Sequence, residues 1–180
     1  MKLWKILTVA NVVKRKRIDL CAMACSRLEQ SATVSWKVIG RGSELERIRE
    51  MAPGSMEFLD RVEDLTPFYK DADLFVLPSE DEGFGMVYIE SIMCSCPVVC
   101  RRRDGGEEIV TTTGGGLAVD LPDSDEIAVN NLTEAIGTIM ADRERFMSDE
   151  IVARAREMVD PGTIKEKWLD LLKQYETLMS

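Results

Sequence analysis

Residues 78–99, PSEDEGFGMVYIESIMCSCPVV, constrain the fold more than any other part of this sequence. The apolar run before them, residues 72–77, has the length and composition of a buried strand in a parallel sheet. Gly83 and Gly85 then predict a loop whose backbone can approach a ligand closely, and a helix is predicted to begin at Met86. The segment therefore predicts a strand, a glycine loop, a helix and a further strand, which is the repeating unit of an α/β fold.

The start of this helix is predicted to be an anion site. The backbone N–H groups of Gly85, Met86 and Val87 have no partner within the helix, and they would point out of the carboxyl edge of the sheet. Glu82 lies just before the glycines, and Glu90 lies one helical turn after Met86 on an otherwise apolar face. A carboxylate in such surroundings is costly unless it accepts hydrogen bonds, so we expect Glu90 to have a donor.

Strands alternate with helices along the whole chain. Strands are predicted at residues 4–10, 34–40, 56–59, 72–77, 97–100 and 117–119, and helices at 17–30, 43–51, 65–69, 86–95, 125–140, 149–158 and from 163 onward. This alternation predicts one α/β domain over residues 1–180, a doubly wound sheet of about six parallel strands with helices on both faces and a helical carboxyl-terminal tail. Ser43 and Glu46 predict a capping box for the second helix. The last helix carries an apolar stripe of Ile164, Trp168, Leu171, Tyr175 and Leu178.

Charge and hydropathy narrow the class of protein. The net charge of −9 at pH 7 argues against a general nucleic-acid surface, so no nucleic-acid partner is expected. No apolar run approaches the length of a membrane span, and the amino-terminal segment resembles a strand rather than a signal peptide, so a cytoplasmic protein is expected. Two basic clusters, residues 14–17 and 101–103, follow predicted strands, where open α/β sheets bind their ligands. A charge run is more often a solvated face, and the sequence leaves both interpretations open.

The residue types that are missing exclude several chemistries. The chain has no histidine, which removes histidine metal ligands, histidine general bases and every Ser/His or Cys/His triad. Its five cysteines are an odd number in a chain without a predicted signal peptide, so core packing is favoured over a disulfide framework. No metal site and no cofactor are predicted.

The segment from Glu82 to Glu90, EGFGMVYIE, resembles the E-x7-E motif of the retaining glycosyltransferases of family 4. Its surroundings agree, because the family's PS-x-x-EGFG at the start and PVV at the end align here without a gap. The resemblance covers roughly residues 4–179 and fits the carboxyl-terminal, nucleotide-sugar-binding half of the two-domain GT-B fold. It implies that the amino-terminal acceptor-binding domain is missing from this sequence, and that any peripheral contact with a membrane would belong to that half.

The resemblance also implies roles for residues outside this motif. Lys16 matches the lysine that contacts the donor diphosphate, and Asn11 stands where the family often has a phosphate-binding arginine. Gly40 matches a G-x-G turn near the nucleotide, although a plain turn is equally compatible with this tripeptide alone. Val62 lies in a segment whose main chain borders the base, and in this segment Asp60 replaces the family's usual glycine.

Within the motif, the resemblance implies that Glu82 contacts sugar hydroxyls near the reacting carbon and that Glu90 accepts hydrogen bonds from the ribose hydroxyls. A carboxylate suits a vicinal diol because it offers acceptors only. Glu82 is therefore expected to matter for the sugar and not for the bare diphosphate. The alternative for both acids is a structural cap or an ion pair. The donor diphosphate would be held by Lys16 and by the backbone of Gly83, Phe84, Gly85, Met86 and Val87.

These implications predict the donor domain of a retaining glycosyltransferase, which binds a nucleotide diphosphate sugar without a metal or other cofactor. The chain alone is expected to bind a donor but to transfer no sugar, because the acceptor half is missing. The main alternative is a non-catalytic nucleotide-binding or interaction module of the same fold, which the missing half and Asn11 favour. A sugar-nucleotide epimerase is a further alternative, but it needs acid–base residues that the sequence does not offer.

Overall fold

The computed structural model describes residues 2–166, 168 and 169, and these contain one six-stranded sheet with helices on both faces. All neighbouring strands are parallel, and their order across the sheet is β3-β2-β1-β4-β5-β6. The predicted doubly wound α/β fold is therefore confirmed. The strands are β1 (Leu3–Val9), β2 (Thr33–Ile39), β3 (Met56–Leu59), β4 (Leu74–Leu77), β5 (Val98–Arg101) and β6 (Gly116–Val119).

The helices form a layer on each face of the sheet. On one face lie α1 (Ile18–Leu28), α2 (Leu45–Met51) and α6 (Asp125–Ala141), and on the other lie α3 (Thr66–Asp71), α4 (Met86–Met93), α5 (Gly105–Thr113) and α7 (Asp149–Val159). A further helical segment occupies residues 161–166. Each layer packs its apolar side on the sheet, so the sheet is buried from both sides as parallel sheets usually are.

The central strands explain why their sequences are continuously apolar. In β1, Ile6 packs into the core on the α1 side and its neighbour Leu7 packs into the core on the α4 side. In β4 the same alternation holds, with Val76 on the α1 side and Phe75 on the α4 side. All four side chains are almost completely buried, because successive residues of a strand point to opposite faces.

The strand order determines where a ligand can bind. The chain builds β1, β2 and β3 outward in one direction, then returns to place β4 beside β1 and continues to β5 and β6. The loops after β1 and β4 therefore diverge to opposite sides of the sheet and leave a crevice at its carboxyl edge. Open α/β sheets bind ligands at this topological switch point.

Helix α5 was not predicted from the sequence. It begins with Gly105 and Gly106 and ends in three threonines, and both residue types have low helix propensity. It forms because Asp104 caps it, with the Asp104 carboxylate accepting from the N–H of Gly105 at 2.8 Å, and because Ile109 and Val110 are buried against the sheet. Capping and tertiary packing here outweigh propensity.

The capping box predicted for α2 is wrong. This helix begins at Leu45, and its first turn receives no side-chain cap. The preceding turn is instead held by the backbone, since the N–H of Leu45 donates to the carbonyl of Gly42 and the N–H of Glu44 donates to the carbonyl of Val12. Contact with the loop after β1 therefore replaces the local cap.

The cysteines pack in the core, as predicted, with one exception. Cys21, Cys25, Cys96 and Cys100 are buried and Cys94 is half-buried, and all five are free thiols. Burial raises the pKa of the Cys25 thiol to about 11 and that of the Cys96 thiol to about 12, so both stay protonated at neutral pH. These thiols are therefore packing groups rather than nucleophiles.

The predicted stripe on the last helix lies mostly outside the described residues. Ile164 and Trp168 are described and are exposed, whereas Leu171, Tyr175 and Leu178 fall beyond residue 169. In the described part of the chain, no helix combines the length and the apolar character that crossing a membrane requires.

Candidate functional site

A cavity of about 890 Å³ opens at the carboxyl edge of the sheet, at the switch point. The loops after the first four strands each contribute to its wall: Lys16 follows β1, Gly40 follows β2, Val62 follows β3 and Glu82 follows β4. Most residues predicted from the sequence meet here. The predicted residues in the wall are Asn11, Lys16, Gly40, Val62, Glu82, Gly85, Met86 and Val87, and those outside it are Gly83, Phe84 and Glu90.

Gly40 lets two loops of this wall touch. Its φ of +146° favours glycine, and a Cβ placed on it would lie 1.9 Å from the carbonyl oxygen of Ala10. The N–H of Ala10 donates to the carbonyl of Ile39 at 3.1 Å, and the N–H of Val12 donates to the carbonyl of Arg41 at 2.8 Å. The Gly40 turn thus packs against the loop that carries Lys16 and holds it in place through these backbone hydrogen bonds. This turn, which we call the Gly40 brace, also borders the cavity.

Lys16 and Glu82 form an ion pair inside the cavity. The Lys16 ammonium contacts Oε2 of Glu82, and only 9% of the lysine side chain and 17% of the glutamate side chain are exposed. The Ser79 hydroxyl donates to the same Oε2 at 3.0 Å and is itself fully buried. The sequence pointed to Lys16 and Glu82 separately, but it did not predict that the two would pair or that Ser79 would orient the carboxylate.

A second ion-pair cluster ties the loops around Lys16 together. The N–H of Glu80 donates to the carbonyl of Arg15 at 2.6 Å, and the Glu80 carboxylate accepts from Arg17 at 3.3 Å and from Arg101 at 2.8 Å. One arginine from each of the two basic clusters therefore pairs with the same acid. Of the residues in this cluster, Arg15 borders the cavity, whereas Glu80, Arg17 and Arg101 do not. Arg17 and Arg101 therefore act mainly on the structure of the loops.

The start of α4 faces the same cavity. The backbone N–H groups of Gly85, Met86 and Val87 find no acceptor within the described part of the chain, and all three residues line the cavity. Helix starts attract anions because their free N–H groups and the helix dipole act together. The cavity thus contains one buried ammonium and one helix start, an arrangement suited to phosphate.

Glu90 lies outside the cavity wall, within α4. Its Oε2 accepts a hydrogen bond of 3.1 Å from the Tyr69 hydroxyl on α3, so the donor expected from the sequence exists. Burial is the main cause that raises the pKa of Tyr69, and the nearby Glu90 carboxylate raises it further. The hydroxyl therefore stays protonated and can donate. Since this bond uses Oε2 alone, the other oxygen of Glu90 keeps its acceptor capacity.

The glycine loop rests on the start of α5. The N–H of Gly105 donates to the carbonyl of Glu82 at 2.9 Å, and a Cβ on Gly105 would lie 2.2 Å from the carbonyl oxygen of Gly83. Phe84, at the tip of the loop, is 42% exposed. Gly83 and Phe84 therefore belong to the loop but lie outside the cavity. The loop packs on α5, a helix that was not predicted from the sequence.

Comparison with known proteins identifies the family. The family described as "Glycosyl transferases group 1" matches residues 4–142 of this chain. The chain belongs to the group 1 glycosyltransferases. The resemblance found in the sequence, to the carboxyl-terminal domain of such an enzyme, is thereby confirmed.

The curated relatives of this chain have names that indicate varied substrates. It is 28% identical over 165 residues to a GDP-mannose-dependent alpha-(1-6)-phosphatidylinositol monomannoside mannosyltransferase of Mycolicibacterium smegmatis, with 83% of this chain and 42% of that protein covered. It is 25% identical over 178 residues to the N-acetyl-alpha-D-glucosaminyl L-malate synthase of Bacillus anthracis, with 96% of this chain and 44% of that protein covered. The chain thus spans less than half the length of these curated relatives.

Solved structures support the fold. Anabaena Alr3699/HepE in complex with UDP and glucose superimposes with a TM-score of 0.76 at 20% identity, over 95% of this chain and 48% of that one. Sucrose-phosphate synthase from Thermosynechococcus elongatus superimposes with a TM-score of 0.76 at 24% identity, over 97% of this chain and 46% of that one. At these identities the likeness concerns the fold.

Asp60, where the sequence resemblance implies a glycine, pairs with a neighbouring arginine. Both carboxylate oxygens of Asp60 accept from the guanidinium of Arg41, and this hydrogen bonding, together with a bond from the N–H of Arg61, lowers the pKa of Asp60. Both side chains are well exposed, so the pair contributes little to stability. It joins the loops after β2 and β3 beside Val62, at the rim of the cavity.

Proposed function

We propose that this glycosyltransferase chain is a donor-binding domain for a nucleotide diphosphate sugar and serves a retaining transfer reaction. The observation that carries the proposal is the convergence of Lys16 with the free N–H groups of Gly85, Met86 and Val87 on one cavity. A diphosphate needs concentrated positive charge and several hydrogen-bond donors, and this combination supplies both. UDP in the Anabaena neighbour supports the same class of ligand.

The remaining wall fits the other parts of such a donor. The base would lie near Val62 and Arg41, at the rim of the cavity, where backbone groups can recognise it. The sugar would lie near Glu82. Glu90 stands one turn deeper in α4, where its free carboxylate oxygen can accept from the ribose hydroxyls once the nucleoside is in place. Asn11 also borders the cavity and would add a neutral hydrogen bond where the sequence resemblance implies a charged one.

The proposed chemistry places the catalytic effect at the leaving group. As the bond between the sugar C1 and the diphosphate oxygen breaks, its electron pair goes to the diphosphate, and Lys16 and the loop amides stabilise the charge that develops there. The acceptor hydroxyl then forms the new bond to C1 on the same face, and its proton passes to the departing diphosphate. Glu82 would hold the sugar hydroxyls during this exchange, and no protein nucleophile is required.

We propose that the chain is one domain of a two-domain architecture and that sugar transfer requires the second domain. Because the chain covers less than half of its curated relatives, the acceptor and the opposite wall of the cleft would come from a further domain. The 180-residue chain is therefore expected to bind donors without transferring sugar. Asn11 in place of an arginine favours the non-catalytic nucleotide-binding module as the second candidate function.

The test is calorimetric titration of the 180-residue chain with UDP, GDP, ADP, CDP and dTDP, followed by sugar derivatives of whichever nucleotide binds. We expect one of these diphosphates and its sugar derivative to bind in competition with each other. The proposal fails if no nucleotide diphosphate binds. Binding of a bare diphosphate with rejection of all of its sugar derivatives would favour the non-catalytic module instead.

Glu90→Ala is expected to weaken the bare nucleotide diphosphate and its sugar derivative equally, by about tenfold, because charge-assisted hydrogen bonds to the ribose are lost. The matched control is the ligand: a 2′,3′-dideoxynucleoside diphosphate lacks the two donors, so the variant and the unmodified chain should bind it alike. Affinities from calorimetry check both statements. Equal weakening of the dideoxy ligand would mean that Glu90 acts only through Tyr69 and the packing of α4.

A further inference from the structure

The ammonium proposed to hold the diphosphate already has an anionic partner. Lys16 contacts the carboxylate of Glu82 within the cavity, and both side chains are largely shielded from water. Ser79, fully buried behind them, donates to the same carboxylate oxygen at 3.0 Å and so fixes it toward the lysine. A diphosphate that enters this cavity meets a lysine whose charge is already neutralised.

We propose that Glu82 competes with the diphosphate for Lys16, and that this competition makes the site select an intact sugar donor over the free nucleotide diphosphate. The inference rests on the proposed donor-binding function and adds a specificity role for Glu82 in the same site. It concerns discrimination between the substrate and the product that remains after transfer.

Separating Lys16 from Glu82 has a free-energy cost. When the phosphates take Lys16, the Glu82 carboxylate stays in a mostly buried place next to a second anion, and it needs new donors. Ser79 supplies one donor. The free amides of the loop would be occupied by the phosphates in the proposed complex. The nearby arginines already have partners. Arg17 and Arg101 pair with Glu80, and Arg15 in the cavity wall donates to the backbone carbonyls of Glu80 and Asp81.

The sugar removes this cost. A hexose attached to the diphosphate carries hydroxyl donors beside Glu82, and these can satisfy the carboxylate that Lys16 has released. The free diphosphate carries no such donors in this position, so it binds against the full cost of displacing Glu82. The same carboxylate therefore helps the donor to bind and opposes the product.

The Lys16–Glu82 contact also changes the effect expected when Glu82 is removed. On the sequence alone, Glu82 is expected not to affect binding of the bare diphosphate, because the resemblance assigns it to the sugar hydroxyls. With the Lys16 contact present, removing the carboxylate should instead improve binding of the bare diphosphate.

The experiment compares Glu82→Gln with the unmodified chain, using the nucleotide diphosphate that the chain binds and its sugar derivative. Glutamine keeps an acceptor for Ser79 and has no charge to compete for Lys16. By calorimetry we expect the bare diphosphate to bind about tenfold more tightly and the sugar derivative to bind no more tightly, so that the preference for the donor falls about tenfold or more. Unchanged or weaker binding of the bare diphosphate would overturn the inference.

Two further variants separate a contact from a general charge effect. Glu80→Gln removes the same charge two residues away, from a carboxylate that contacts Arg17 and Arg101 rather than Lys16, and should leave the donor preference unchanged. In Lys16→Ala no lysine is left to compete for, and Glu82 can only repel the ligand. Adding Glu82→Gln there should therefore tighten binding of the bare diphosphate by clearly less than it does in the chain that keeps Lys16. An equal effect of Glu80→Gln, or a full effect without Lys16, would contradict the inference.

The outcomes also distinguish this inference from the proposed function. If the unmodified chain binds no nucleotide diphosphate, the proposed function fails. If it binds one and Lys16→Ala weakens it while Glu82→Gln does not tighten it, the donor site stands and only the competition is refuted. Thermal unfolding shows whether each variant is folded, and Glu82→Ala replaces the glutamine variant if that one is not.

Discussion

Lys16→Ala is expected to weaken the binding of nucleotide diphosphates by about a hundredfold, which is close to 3 kcal/mol. Two causes combine. The variant loses a charge-assisted hydrogen bond to phosphate in a place from which water is largely excluded, and it leaves Glu82 as an unpaired carboxylate facing the ligand. Calorimetric titration with the nucleotide that the unmodified chain binds gives the measurement.

Lys14→Ala is the matched control for this variant. Lys14 belongs to the same short 3-10 turn as Lys16, but it is exposed and lies outside the cavity wall. The Lys14→Ala substitution removes the same charge from the same loop. It should change the affinity for the nucleotide diphosphate only slightly, since exposed charges are screened. If both variants weaken binding to the same extent, the basic turn acts as a diffuse positive field and Lys16 does not contact the phosphates.

Gly40→Ala is expected to destabilise the fold by about 3 kcal/mol, because the φ of +146° is strained for alanine and the new Cβ collides with backbone. The atom in the way is the carbonyl oxygen of Ala10, which cannot turn aside as a side chain would. Relief requires the turn after β2 to move away from the loop after β1, and that loop carries Lys16. Urea unfolding measures the stability loss, and nucleotide affinity should fall with it.

Gly137→Ala serves as the opposite case. Gly137 is exposed in α6, about one turn before the helix ends, and a Cβ built on it has no heavy atom within 4 Å. Alanine there should stabilise the protein by about 0.5–1 kcal/mol, since it favours the helix and restricts the unfolded chain.

The prediction for Gly40 can be contradicted directly. A Gly40→Ala variant as stable as the unmodified protein would show that the loops after β1 and β2 separate freely, and that the contact between them is unimportant.

The sequence predicted most of the fold because its strong signals are local. Continuous apolar runs of strand length, such as residues 72–77, are hard to place anywhere except in a sheet that is buried on both faces. The loop and helix around Gly85 follow from glycine and from the period of the apolar residues. Helix α5 was missed because Gly105, Gly106 and a run of threonines disfavour a helix, and only its cap and its packing partners reverse that preference.

The site was predicted only in part, since its decisive contacts join residues far apart in the chain. Lys16 and Glu82 are separated by 66 positions and meet because β1 and β4 are neighbours in the sheet. Glu80 had no motif to mark it, and its role becomes visible only when Arg17 and Arg101 are seen to converge on it. The basic clusters fitted both a ligand surface and a solvated face, and each description holds for some of their residues: Lys16 borders the cavity, and Lys14 is exposed. Neither description covers the pairing of Arg17 and Arg101 with Glu80.

The Glu80 cluster has a consequence for the entropy of ligand binding. Arg17 comes from the loop after β1, Arg101 from the end of β5, and Glu80 from the loop after β4, so one carboxylate joins three neighbouring connections. The backbone of these loops is therefore ordered when the chain folds, before any ligand arrives. A ligand then has to restrain side chains rather than whole loops, and the conformational entropy lost on association is correspondingly small.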